Sequence, residues 1–122
     1  MLVVHRIESL DGYRVCRADG VLDAFTVSTF RQIMAGIASS SQLILDLSGI
    51  TFIDAAGLGA LVGAIRRTRE CGGQVAVVCN RPTLVRLLRS NGFDRIVTVA
   101  ETMNAAASAL PRQADQSCRA KT

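Results

Sequence analysis

Leu43-Ile44-Leu45-Asp46-Leu47 is a nearly unbroken apolar run, and it limits the fold more than any other stretch of the chain. A strand with one wet face alternates apolar and polar residues. A run without alternation needs cover on both faces, as an inner strand of a parallel sheet has. Val75-Ala76-Val77-Val78 is a second run of the same kind. Between the two lie Thr51-Phe52-Ile53-Asp54-Ala55-Ala56-Gly57-Leu58-Gly59 and a helical stretch reaching about residue 71. Asp54 stands where a helix N-cap belongs, its carboxylate able to accept from free N–H groups of the first turn. Leu58, Leu61, Val62 and Ile65 follow the i, i+3, i+4, i+7 spacing of a core-facing stripe.

The remaining segments extend this alternation. Residues 2–8 and 13–18 read as strands joined by the hairpin turn Leu10-Asp11-Gly12. A loop over 19–25 leads to Thr26, which is placed to cap a helix from 27 to about 38 with Phe30, Ile33, Met34 and Ile37 on one face, ended by Ser39-Ser40-Ser41. Gly72-Gly73 closes the central helix. Pro82 opens a further helix with Leu84, Val85, Leu87 and Leu88 as its apolar face, and Gly92 stops it. A short strand over 96–99 and an Ala-rich helix over 101–110 complete the pattern, and 111–122 is a polar, aperiodic tail expected to be disordered. The expectation is one α/β domain over 1–110: a mostly parallel sheet of about five strands with an antiparallel N-terminal hairpin, packed with about four helices. The loops at 20–26 and 48–56 then meet at one sheet edge, bringing Asp23 and Asp54 together, where sites in open α/β folds gather.

The central helix is odd in its glycines. Gly57, Gly59 and Gly63 each cost about 1 kcal/mol against Ala in a helix interior. On the helical wheel Ala56, Gly59, Ala60 and Gly63 fall opposite the apolar stripe, on a face with almost no side chain. Such a face lets another backbone come close, which points to a protein partner. The alternative is a surface helix under weak selection.

Composition excludes other classes. The chain of 122 residues has a net charge of +4, carried almost wholly by Arg, but the arginines are scattered and form no run. Arg66, Arg67 and Arg69 suit the C-terminal end of a helix dipole. Trp is absent and aromatics are few, which argues against stacking of single-stranded nucleic acid. No stretch approaches the roughly 18 apolar residues of a membrane span, and no signal peptide is evident, so a cytoplasmic location is expected. There is no phosphate-binding loop, nucleophile elbow or dinucleotide fingerprint. Asp23 and Asp54 read as a loop residue and a cap rather than an acid–base pair. Of the cysteines, Cys16, Cys71, Cys79 and Cys118, no pair has C-x-x-C spacing, and His5 alone cannot complete a metal site. Neither enzymatic activity, nor a cofactor, nor a metal is expected. Cys71, Cys79 and Cys118 remain redox candidates, with Cys71 and Cys79 too far apart for a direct disulfide.

The pattern Leu-Asp-Leu-Ser-Gly-Ile-Thr-Phe-Ile-Asp-x-x-Gly-Leu-Gly resembles that of STAS domains, specifically the bacterial anti-anti-sigma factors, or anti-sigma factor antagonists. Gly20-Val21-Leu22-Asp23 with Thr26 resembles the family's Gly-x-Leu-Asp-x-x-Thr segment. Gly72-Gly73-Gln74-Val75, Val85-Arg86-Leu87-Leu88 and Gly92-Phe93-Asp94-Arg95-Ile96 fit its second half. The resemblance implies a partner: an anti-sigma factor of the ATP-binding serine kinase type, bound so that its sigma factor is released. It implies no direct contact with nucleic acid or membrane, and leaves weak homodimerisation open. The implied contact residues are Asp23, Thr26, Asp54, Ala55, Ala56, Gly57, Leu58, Gly59, Ala60 and Gly63. The family usually reads Asp-Ser-Ser-Gly or Asp-Ser-Thr-Gly at Asp54, its second hydroxyl being the phosphate acceptor. Here Ala55 and Ala56 stand instead, so the usual switch cannot operate at Ala56, and Thr51 and Ser48 are the remaining hydroxyls in this connection. The expected function is an antagonist that is constitutively competent or controlled by redox or another Ser or Thr. The alternative is a STAS adaptor, scaffold or sensor subunit of a signalling assembly.

Overall fold

The structure is a computed structural model and describes residues 2–8, 13–36 and 42–110. The hairpin turn at 10–12, the end of the first helix at 37–41 and the tail at 111–122 lie outside the described residues.

Five strands form one sheet in the order β1-β2-β3-β4-β5: β1 Leu2–Glu8, β2 Tyr13–Leu22, β3 Gln42–Ile53, β4 Gln74–Val78 and β5 Thr98–Ala100. β1 runs antiparallel to β2, and every other pairing is parallel. The helices are α1 Val27–Ala35, α2 Ala55–Glu70, α3 Pro82–Ser90, α4 Phe93–Ile96 and α5 Met103–Ala109.

The apolar run in β3 serves two cores, as a doubly covered strand must. Leu43, Leu45 and Leu47 point to the larger one, with Phe30 and Met34 of α1, Leu61 and Ile65 of α2, Leu84 and Leu88 of α3, and Phe93 of α4. Ile44 points to the other face, where Tyr13, Ala76, Val78 and Ala100 pack with Ala106 of α5. β4 divides in the same way, Val75 and Val77 to one side and Ala76 and Val78 to the other. The two-layer covering on which the α/β expectation rested is therefore visible residue by residue.

Several boundaries differ from the expectation. β2 continues to Leu22 and β3 to Ile53, because their parallel ladder runs on through Gly20↔Ile50 and Leu22↔Ile53 with two register shifts. Backbone pairing carries the strands past residues whose side chains gave no strand signal, so Ser48 and Thr51 sit in β3 rather than in a connection. α4 was not expected. Gly92 takes a left-handed φ of 73°, and one helical turn follows with Phe93 buried beneath it. That turn uses Ile96, which is exposed, and delays β5 to Thr98. α5 starts at Met103 because the Thr102 hydroxyl accepts from the Ala105 N–H at 3.1 Å.

Candidate functional site

The site begins where β2 and β3 end side by side. The Asp54 N–H donates to the Leu22 carbonyl at 3.3 Å, holding the end of β3 against the end of β2. Asp54 is the N-cap of α2: its Oδ1 accepts from the Gly57 N–H at 2.9 Å. Its Oδ2 accepts from the Ala24 N–H at 3.2 Å, across 30 residues of sequence. One carboxylate thus ties the start of α2 to the loop between β2 and α1.

That loop is rigid for its own reasons. Asp23 Oδ1 accepts from the Phe25 N–H at 2.9 Å and the Thr26 N–H at 3.1 Å. Thr26 Oγ1 donates to the Val21 carbonyl at 2.8 Å and accepts from the Asp23 N–H at 3.0 Å. Thr26 precedes α1 but makes no side-chain cap bond to it. Its hydroxyl is committed to the loop instead, which corrects the expected capping role. Asp23 and Asp54 do share this edge, as expected, and both carboxylates accept backbone N–H groups, which is structural work rather than acid–base chemistry.

On the crest of this loop Phe25 is 92% exposed. Sequence reasoning passed over it, because a single Phe in a short loop has no periodicity to mark it.

α2 presents two unlike faces. Gly57, Ala60, Leu61, Ala64, Ile65 and Thr68 are buried. Leu58 and Val62, expected on the core face, are half-buried and pack against the core. The expected solvent positions of Gly57's neighbour Ala60 and of Gly57 itself as a contact residue are corrected: Ala60 is 3% exposed and Gly57 is buried. The cause is size. The stripe was drawn through the large residues, but the small ones let the helix lie close to the sheet. A Cβ on Gly57 would overlap the Leu22 carbonyl oxygen and lie 2.8 Å from Ile53 Cγ1. Gly59 and Gly63 are different: a Cβ on either meets nothing within 4 Å. With exposed Ala55 and half-exposed Ala56 they form a smooth strip, and the Asp54 cap at its N-terminal end is tied to Ala24, the residue before Phe25.

The two alternative hydroxyls are held. Ser48 Oγ donates to Asp46 Oδ1 at 2.6 Å and is half-buried, and Thr51 Oγ1 donates to the Gly20 carbonyl at 3.2 Å from an exposed position. Among the described residues Cys16, Cys71 and Cys79 form no disulfide, and the Cys16 thiol donates to Met34 Sδ at 3.8 Å. Cys79 is fully buried, and burial pushes its thiol up, which disfavours the thiolate that redox chemistry needs. Cys71 is partly exposed. Cys118 lies outside the described residues. No helix among the described residues is long and apolar enough to cross a membrane.

A family model described as the STAS domain matches residues 5–106. The chain belongs to this family. Among curated relatives, this STAS domain is 30% identical over 91 residues to a protein named anti-sigma F factor antagonist from Paenibacillus polymyxa, covering 72% of this chain and 78% of that one. Among solved structures, it resembles an anti-sigma factor antagonist from Mycobacterium paratuberculosis with a TM-score of 0.77 and 26% identity, covering 90% of this chain and 94% of that one. It also shares its fold with a part of the murine anion transporter Slc26a9, with a TM-score of 0.71 and 22% identity, over 83% of this chain but 18% of that one.

Proposed function

We propose that this STAS domain is an anti-sigma factor antagonist: a binding protein, not an enzyme, that docks on an anti-sigma factor of the ATP-binding serine kinase type and thereby releases a sigma factor to transcription. The observation that carries this reading is the pairing of a smooth, rigid strip with an exposed aromatic. Gly59, Gly63, Ala55 and Ala56 admit a partner's backbone, while Phe25 at 92% exposure supplies an anchor. Few side chains need ordering on this surface, so little entropy opposes docking, and an aromatic residue on a fixed loop has the character of an interface hot spot. The names of the similar antagonists support the partner class.

Ala56 sets the regulation we propose. A phosphate at this position would bring up to two negative charges beside Asp54 and Asp23 and desolvate them on docking, which opposes binding. Alanine has no hydroxyl to carry it, and Ser48 and Thr51 are already engaged as donors. The domain is therefore constitutively competent toward its partner. Titration against the host's kinase-type anti-sigma proteins, first with ADP and then with Mg-ATP, tests this. The expected result is an affinity that ATP leaves unchanged, with no phosphate transferred; binding lost as phosphate appears on the chain would sink the constitutive reading. A second reading, an adaptor domain within a larger assembly, is supported by the same fold inside the anion transporter. It takes over if no anti-sigma protein binds.

A further inference from the structure

The C-terminal end of β3 and one flank of α3 enclose an open groove of about 760 Å³ that the docking strip does not use. Its floor is apolar: Phe52 is 53% exposed, Leu87 half-buried and Leu84 buried. Its rim is basic. Arg81 and Arg86 line it and are exposed, and among the described residues neither forms an ion pair with a carboxylate. Arg81 Nε donates to the Ser48 carbonyl at 3.2 Å, which fixes one edge of that guanidinium. α3 itself carries no acidic residue. On the other flank of α3 a second cleft carries Glu101 with Arg86 and Arg89, so Arg86 borders both clefts while Arg81 lines only the first.

We infer that this groove docks an acidic amphipathic segment of a partner protein, its apolar side chains on Phe52 and Leu87 and its carboxylates on Arg81 and Arg86. The floor and rim together select this chemistry. A free anion would satisfy the arginines and leave Phe52 and Leu87 wet, while a nucleic-acid strand needs successive aromatic platforms where the groove offers one ring. Guanidinium forks match carboxylates in paired hydrogen bonds and are weakly hydrated, so they suit a partly covered contact. The nine residues of α3 give a wall of about 13 Å, the reach of about four extended residues or two turns of helix. The site uses no residue of the α2 strip, so it stands or falls apart from the anti-sigma reading.

Selection of a randomised library of roughly ten-residue peptides on the full chain tests it, followed by affinity and amide-shift measurements on the best binders with the chain, Arg86→Glu and Phe52→Ser. Both substitutions are at exposed positions, and circular dichroism checks that each variant folds. The expected binders combine acidic and large apolar residues, shift the amides at 51–53 and 81–87, and lose about tenfold or more in affinity to each variant and in raised salt. Binders of neutral or basic composition, binding indifferent to both variants, or displacement by inorganic phosphate alone, which would mean a bare anion site, would each overturn it.

Discussion

Within α2, the side carrying Gly57 and Ala60 and the side carrying Gly59 and Gly63 are both built from small residues, and they do opposite things. On the inner side the absence of a side chain closes a gap: Gly57 lies so near the Leu22 carbonyl that no Cβ fits. On the outer side it opens a surface, since Gly59 and Gly63 have free space where a Cβ would go. Glycine weakens a helix by about 1 kcal/mol wherever it stands inside one. At Gly57 the close packing of helix on sheet offsets that cost within the folded chain. At Gly59 and Gly63 nothing among the described residues does, and the proposed docking on a partner is what would offset it.

This contrast can be broken by substitution. Gly57→Ala should have the largest effect, about 3 kcal/mol of destabilisation, because the helix must move off backbone atoms that cannot yield; an unchanged urea midpoint would show that the close approach is unimportant. Asp54→Ala should cost about 1–2 kcal/mol, since the cap on Gly57 and the tie to Ala24 go together. A loss of protection confined to α2, with amides at 23–26 unaffected in hydrogen exchange, would refute the tie. Gly59→Ala and Gly63→Ala should move the other way, each raising stability by up to about 1 kcal/mol, and a fall in either would mean that the outer face is packed after all.

Smaller still is the alkaline effect of Cys79. Burial raises its thiol in the folded chain, so its contribution to stability is full below the ordinary thiol range. It is lost as pH rises through that range, because only the unfolded chain gives up the proton there. Stability curves of the chain and of Cys79→Ala should therefore draw together at alkaline pH, the parent falling faster, and parallel curves would count against the assignment. In the folded protein an alkylating reagent should reach Cys71 and spare Cys16 and Cys79.

The parts of the fold legible in the sequence are those with periodicity or a cap. The doubly buried strands at 43–47 and 75–78, the Asp54 cap and the hairpin pairing all follow from local pattern and appear in the structure. What escaped was set by partners distant in sequence. β3 extends to Ile53 because β2 lies beside it, and Ala60 is buried because small residues let α2 approach the sheet. A wheel that weights residues by hydrophobicity cannot see an approach made possible by size. Phe25 and the groove beside Phe52 were illegible for a related reason. Exposure of an apolar residue is a fact of the assembled surface, and no spacing announces it.

The most direct test of the central claim separates folding from docking at one residue. Gly59→Leu places its Cβ in open space on the outer face of α2, at an exposed position, and removes a helix-weakening glycine. Its melting temperature and its affinity for the anti-sigma protein that binds the parent chain are measured together. The account predicts a chain at least as stable as the parent that has lost about 100-fold or more in affinity, about 2.7 kcal/mol. A stable Gly59→Leu chain that binds as tightly as the parent would contradict it, and the smooth strip would then not be the docking surface.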